Sequence, residues 1–372
     1  MRHSIFAAGK LLQIVALGCA LYLSTQGRAQ TPDQTGNPAG NLAPKPLFRD
    51  PVHDGAADPT IIWNRGKREW WMFYTNRRAD MTGLDAKDVS WVHGTRIGIA
   101  VSRDYGATWL YHGVARIPYG KKDFTQWAPD IVYDHGKYHM FLVVVPGTFK
   151  DWNAPRHIVH FVSGNLERWS YVGQLDTGSD RIIDPSLFHV KDERGPENLW
   201  RLWYKDELDQ SHINYADSSD LNDWHPKGPA ITDRSSEGPK VFRWRNQYWM
   251  IVDAWKGLGV YRSTDLVHWT AQPDNILETP GSIATDRSEG HHCDVVVSGD
   301  RAFIFYFTGQ EGADLDRSIP NSERHTVLQV AELHEGNGII TVDRDAPVHI
   351  YLQPPAQRPP SRFRLKVPAL HR

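Results

Sequence analysis

Four segments of this chain share one plan: a Ser, a polar centre, and a Trp six or seven residues on. They are Ser102 to Trp109 (SRDYGATW), Ser163 to Trp169 (SGNLERW), Ser218 to Trp224 (SSDLNDW) and Ser263 to Trp269 (STDLVHW). Each follows a short β-like run, at 97–101, 158–162, 213–216 and 259–262. The polar centre therefore reads as a turn, and the Trp opens a return strand. A second pair of strands recurs upstream of each turn. Asp58-Pro59-Thr60 leads to 70–74, Asp130-Ile131-Val132 to 138–142, Asp184-Pro185-Ser186 to 199–204, and Glu237-Gly238-Pro239 to 248–252. A fifth copy starts at Asp294, continues through 302–307, and ends in a hairpin at 327–333 and 339–342.

Four short strands recurring every 53 to 72 residues, with no amphipathic helix of useful length, predict an all-β chain folded as a five-bladed propeller. A β-sandwich also has many short strands, but it has no reason to repeat one Ser-to-Trp turn four times. The propeller is expected over 49–345. An insertion at 78–91 should sit over one face. The Pro-rich tail at 346–372 should pack on the ring or close it.

The first 29 residues read as a signal peptide. Arg2, His3 and Lys10 precede an apolar run at 11–23, and Gly27-Arg28-Ala29 suits cleavage after Ala29. The run is short for a transmembrane helix, and lipid attachment at Cys19 is the lesser alternative. The expected location is secreted or periplasmic. Residues 30–48, rich in Pro, Gly, Asn and Gln, read as a flexible linker. Once the segment is removed, Cys293 is the only thiol and no intrachain disulfide can form. The formal charge of -2, or about -5 without Arg2, Lys10 and Arg28, gives no reason to expect nucleic acid or a membrane surface as a partner. The 15 Trp and 14 Tyr suit β-structure and also sugar binding, where rings pack on apolar sugar faces.

In a propeller the first strand of every blade lines the central channel, so residues at matching points of different copies converge near the axis. Asp58, Asp184 and Glu237 are expected at equivalent places in copies one, three and four. Converging carboxylates repel, and repulsion with burial keeps a proton on one of them near neutral pH. A base and a retained acid facing each other across a sugar is what glycoside hydrolysis requires.

Ala57-Asp58-Pro59-Thr60, Ile183-Asp184-Pro185-Ser186-Leu187-Phe188 and Glu237-Gly238-Pro239 resemble the three catalytic motifs of glycoside hydrolase family 43, and Trp127-Ala128-Pro129-Asp130 resembles a further motif of that family. The resemblance extends over about 50–345. It implies a five-bladed propeller, shared with family 62 and the more distant families 32, 68 and 117, and an inverting hydrolase of plant or algal glycans. Asp58 would be the general base, Glu237 the general acid, and Asp184 the group that orients the acid and raises its pKa. Inversion leaves room for water, with carboxyls roughly 6.5–9.5 Å apart. Trp127, Asp130, Trp91 and His291 would border the substrate, with a structural role weighed for Asp130. No cofactor would be required. A structural calcium near the axis is the optional ion, with His292 as its nearest protein group.

His291-His292-Cys293-Asp294 also invites a zinc reading, but adjacent strand residues point to opposite faces and cannot both reach one metal. The insertion at 78–91 departs from ordinary xylosidases and arabinofuranosidases, so the sugar stays open. Three alternatives remain: a family 117-like enzyme with His-assisted acid catalysis, a sialidase-type propeller, and a non-catalytic carbohydrate-binding propeller. Ser102 to Trp109 fits the Asp-box of sialidases, and Arg96, Arg181 and Arg287 are candidates for the three convergent Arg those enzymes need.

Overall fold

The computed structural model describes residues 40–190, 199–310 and 322–356. The expected signal peptide and parts of the expected linker and tail lie outside them. A short strand, β1 (Asn41–Leu42), precedes the first blade. Blade one is β2 (Ala56–Asn64), β3 (Glu69–Asn76), β4 (Arg96–Ser102) and β5 (Leu110–Val114). Blade two is β6 (Thr125–Asp134), β7 (Lys137–Val145), β8 (His157–Ser163) and β9 (Ser170–Gln174). Blade three is β10 (Ile182–Val190), β11 (Leu199–Asp206), β12 (His212–Ser218) and β13 (His225–Ile231). Blade four is β14 (Glu237–Trp244), β15 (Gln247–Asp253), β16 (Leu258–Ser263) and β17 (Thr270–Ala271). Blade five is β18 (His291–Ser298), β19 (Arg301–Gly309), β20 (Thr326–Gly336) and β21 (Ile339–Val342). Each blade is an antiparallel sheet with its strands in chain order, and no α-helix occurs among the described residues. The expected five-bladed propeller is the observed fold.

Strand alternation explains the packing between blades. Side chains of period two give every sheet two apolar faces. In β3, Trp70, Met72 and Tyr74 pack with Phe303 and Phe305 of blade five, whereas Trp71 and Phe73 pack with Met140 and Leu142 of blade two. The other three seams each hold a comparable cluster. The four Ser-to-Trp turns lie between the third and fourth strands of blades one to four. In each, the Ser hydroxyl accepts backbone N–H bonds, from Gly106, Leu166, Asp220 and Leu266.

The seam between blades five and one is covered by the chain ends. β22 (His349–Ile350) pairs with β1, and the Leu352 carbonyl accepts the Trp70 indole N–H at 3.0 Å. Phe48 pairs with Leu328 of β20, adding to the edge of blade five. Residues 40–48 are therefore no linker: Ala43, Leu47 and Phe48 are buried with Val348, Ile350 and Leu352. Polar composition hid three apolar anchors.

The inner strand of every blade carries a break in register at the same point: between Ala57 and Thr60, Trp127 and Asp130, Ile183 and Ser186, Glu237 and Lys240, and His291 and Cys293. Asp58, Ala128, Asp184 and Gly238 sit in these bulges with φ of 50°, 40°, 58° and 54°. Left-handed backbone at a non-Gly residue is costly, though Asp tolerates it best. The register corrects one expectation. Asp58 and Asp184 are equivalent, but Glu237 stands one residue earlier in its blade: it pairs with Asp253 as Ala57 pairs with Thr75 and Ile183 with Lys205. The bulge position of blade four is Gly238, where a Cβ would come within 2.6 Å of the His292 ring.

Candidate active site

The bulges open onto a cavity of about 400 Å³ at one end of the channel. Asp58, Asp184, Glu237 and His292 line it, with Trp91, Trp127, Trp152 and Trp255 as aromatic walls and Arg77, Arg156, Lys205 and Glu207 between them. The structure thus brings the three expected carboxylates together. It also brings in Trp127 and Trp91. The insertion contributes Trp91, and the next residue, Val92, accepts the Trp127 indole N–H at 2.6 Å through its carbonyl. Asp130 and His291 are not among the lining residues. Asp130 is buried two residues further along β6. His291 stacks on Phe307 and lies 3.1 Å from Asp253.

Each carboxylate has a different setting. Asp58 Oδ1 lies 3.6 Å from Arg77 and 3.6 Å from His292 Nδ1. The Arg77 guanidinium carbon itself lies over the Phe307 ring, 4.5 Å from its centroid. Asp184 accepts the Gly238 N–H at 3.0 Å and is pushed up to about 7, chiefly by burial, with Glu237 and Asp58 adding repulsion against the relief given by His292 and Lys205. His292 is raised: burial alone would discharge it, but Asp184, Asp58, Asp253 and Glu237 outweigh that cost. Glu237 accepts from Lys205 Nζ at 2.8 Å through Oε2 and from the Trp255 indole N–H at 3.0 Å through Oε1. Lys205 is held charged, since Glu237 and its neighbours overcome the burial penalty.

These contacts form a chain across the cavity. Glu207 pairs with Arg156 at 2.5 Å, Arg181 at 3.1 Å and Lys205 at 3.6 Å, and both Arg also bond the Trp152 carbonyl. From Trp152 through Glu207 and Lys205 to Glu237 and Trp255, the two rim tryptophans are tied to one ion-pair network. Motif reading missed Arg77, Trp152, Arg156, Lys205, Glu207 and Trp255. Lys205 was within reach, because it stands opposite Ile183 of the Asp184 motif. Of the three Arg considered for a sialidase, none lines the cavity, and Arg181 is engaged by Glu207.

The expected axial calcium does not fit the residues present. On the axis, Lys240 Nζ stands between Asp130 Oδ1 at 3.0 Å and Asp294 Oδ1 at 2.8 Å, so the cationic position is filled by a side chain. Among the described residues no group of three His, Cys, Asp or Glu is arranged to hold a metal.

No protein-family model and no curated protein matches the chain. Solved structures do. A thermostable family-43 glycoside hydrolase aligns over 84% of this chain and 100% of its own, at 17% identity and a TM-score of 0.58. A family-43 β-xylosidase/α-arabinofuranosidase from a compost microbial metagenome, in complex with xylotriose, aligns over 79% and 96% at 16% identity and a TM-score of 0.57. A family-43 β-1,3-galactosidase with galactodeoxynojirimycin aligns over 80% of this chain and 96% of its own, at 14% identity and a TM-score of 0.56. At these identities the likeness is one of fold, and it agrees with the family resemblance of the motifs.

Proposed function

We propose that this protein is an exported glycoside hydrolase that cleaves plant or algal oligo- or polysaccharides with inversion, of the xylosidase and arabinofuranosidase type. The observation that carries the reading is that Asp58, Asp184 and Glu237, from three separate blades, line one aromatic-walled cavity. Asp58 takes a proton from water as the water oxygen bonds to the anomeric carbon. The bond to the leaving oxygen breaks as Glu237 delivers its proton there. The charge left on Glu237 then faces the Lys205 ammonium and the Trp255 N–H, so both groups stabilise what develops in the transition state. Asp184, buried and bonded to the Gly238 N–H, fixes the backbone that follows the acid.

The four Trp support a sugar ligand, since indole faces cover the C–H faces of pyranose and furanose rings. The structural neighbours span a xylosidase/arabinofuranosidase and a galactosidase, so a panel of aryl glycosides and oligosaccharides with analysis of the product anomer is the appropriate test. An inverted anomer, with activity lost in Glu237→Gln, is the expected result. Retention of configuration, or glycan binding without turnover, would refute the reading.

A second reading, His292 as proton donor, is favoured by one observation: its Nδ1 lies between Asp58 and Asp184, at 3.6 and 4.0 Å, and its pKa is raised. Leaving-group dependence separates the two. The true acid is the residue whose replacement abolishes cleavage of an alkyl or sugar leaving group while sparing a dinitrophenyl one.

A further inference from the structure

Two residues beyond each inner-strand bulge, every blade sends one polar side chain to the axis: Thr60, Asp130, Ser186, Lys240 and Asp294. Their bonds link the blades in a closed ring. Thr60 donates to Asp130 Oδ1 at 3.3 Å, Asp130 Oδ2 accepts the Leu187 N–H at 2.7 Å, and Ser186 accepts the Val241 N–H at 3.2 Å. Lys240 donates to Asp294 and Asp130, and Asp294 Oδ2 accepts the Ile61 N–H at 2.6 Å, joining blade five back to blade one.

We propose that Lys240 is the resident axial cation of this propeller, standing where a divalent ion would bridge Asp130 and Asp294, and that shortening it opens a calcium-type site. Asp130 and Asp294 are only 4% and 3% exposed, so their two charges require compensation on the spot. Each has spent one oxygen on a neighbouring blade's backbone and turns the other toward Lys240. The carboxylates keep that ammonium charged despite its burial. With the ammonium and its methylenes removed, the space is bordered by the Asp130 and Asp294 carboxylate oxygens, with the Thr60 hydroxyl bonded to the first of them. Such an all-oxygen set, completed by water, suits calcium, which takes 6–8 oxygens in loose geometry, better than magnesium. Closure of the ring is then written into the sequence instead of depending on a bound ion.

The test is thermal melting of the mature protein and its variants with a chelator or with millimolar calcium, together with calcium titration by calorimetry. Wild type should melt within about 1 °C of the same temperature in both conditions and take up no calcium at this position. Lys240→Ser and Lys240→Met should each melt roughly 5–15 °C lower, because either leaves buried carboxylates unpaired. Calcium should restore Lys240→Ser, which leaves space for an ion, and not Lys240→Met, whose side chain fills it. Wild type that loses stability on chelation and regains it with calcium would overturn the proposal. So would a Lys240→Ser variant that folds and ignores calcium. Should Lys240→Ser fail to fold, Asp294→Asn decides: a fall in melting temperature without any calcium response supports the ring, and an unchanged melt refutes it.

Discussion

Lys205 Nζ lies 2.8 Å from Glu237 Oε2, and the two residues belong to neighbouring blades. Lys205 leaves β11 opposite Ile183, and Glu237 opens β14, so the pair spans a blade seam at the mouth of the channel. It anchors the proposed acid to the network that ends at Trp152.

Lys205→Met should therefore reduce turnover by roughly 10–100-fold with little change in KM, because a displaced catalytic group is expensive even when substrate still binds. Steady-state kinetics on one glycoside decides this. A pure rise in KM would assign Lys205 to sugar binding instead.

Replacing the proposed base and acid should have different signatures. Asp58→Asn should lower kcat by about 10²–10⁴-fold on every substrate, since water activation is needed whatever leaves. Glu237→Gln should do so only where the leaving group needs a proton. Equal losses on dinitrophenyl and oligosaccharide substrates in Glu237→Gln would count against its role.

Stability should fall as pH rises through neutrality. Asp184 has its folded value raised from 3.8 to about 7, so across that window the folded protein binds more protons there than the unfolded chain does. His292 acts in the same direction: its contribution is complete below 6.5 and is lost as pH rises through its higher folded value. Asp184→Asn keeps an acceptor for the Gly238 N–H and removes the penalty. It should be more stable than wild type at pH 8, and so melt higher, by a free energy of at most about 4 kcal/mol at ~1.4 kcal/mol per pH unit, with the gap closing toward pH 4. Melting curves at a series of pH values test this, and a gap independent of pH would contradict it.

The rim tryptophans should separate binding from chemistry. Trp152 is 50% exposed, so Trp152→Ala should leave the fold intact and raise KM by about 10-fold, the worth of one ring–sugar contact near 1.4 kcal/mol. Trp255→Phe keeps a ring but removes the N–H that reaches Glu237, so kcat should fall instead. Identical kinetic effects from the two would remove the distinction.

Much of the fold was legible because its determinants are local. The Ser-to-Trp turns need only a hydroxyl accepting nearby N–H groups and a left-handed residue, seen at Tyr105, Leu166, Leu221 and Leu266. Alternating strands such as 70–74 carry both faces of a blade in their own order. Residues 40–48 misled for the opposite reason: Phe48 finds its partner at Leu328, and no local pattern announces a contact so distant.

The candidate site divides the same way. Asp58-Pro59 and Asp184-Pro185 declared themselves as matching copies, and Glu237 could be named from its Gly-Pro turn. The repeat, the blade count and the three carboxylates can thus be read from residue order alone. Folding adds that Glu237 stands one residue off their register, that Lys205 and Trp255 hold it, and that Lys240 takes the axis between Asp130 and Asp294. Ring closure is the cause. It sets side chains from blades far apart in the chain within hydrogen-bond distance, and which charge meets which is then fixed by the bulges that aim them.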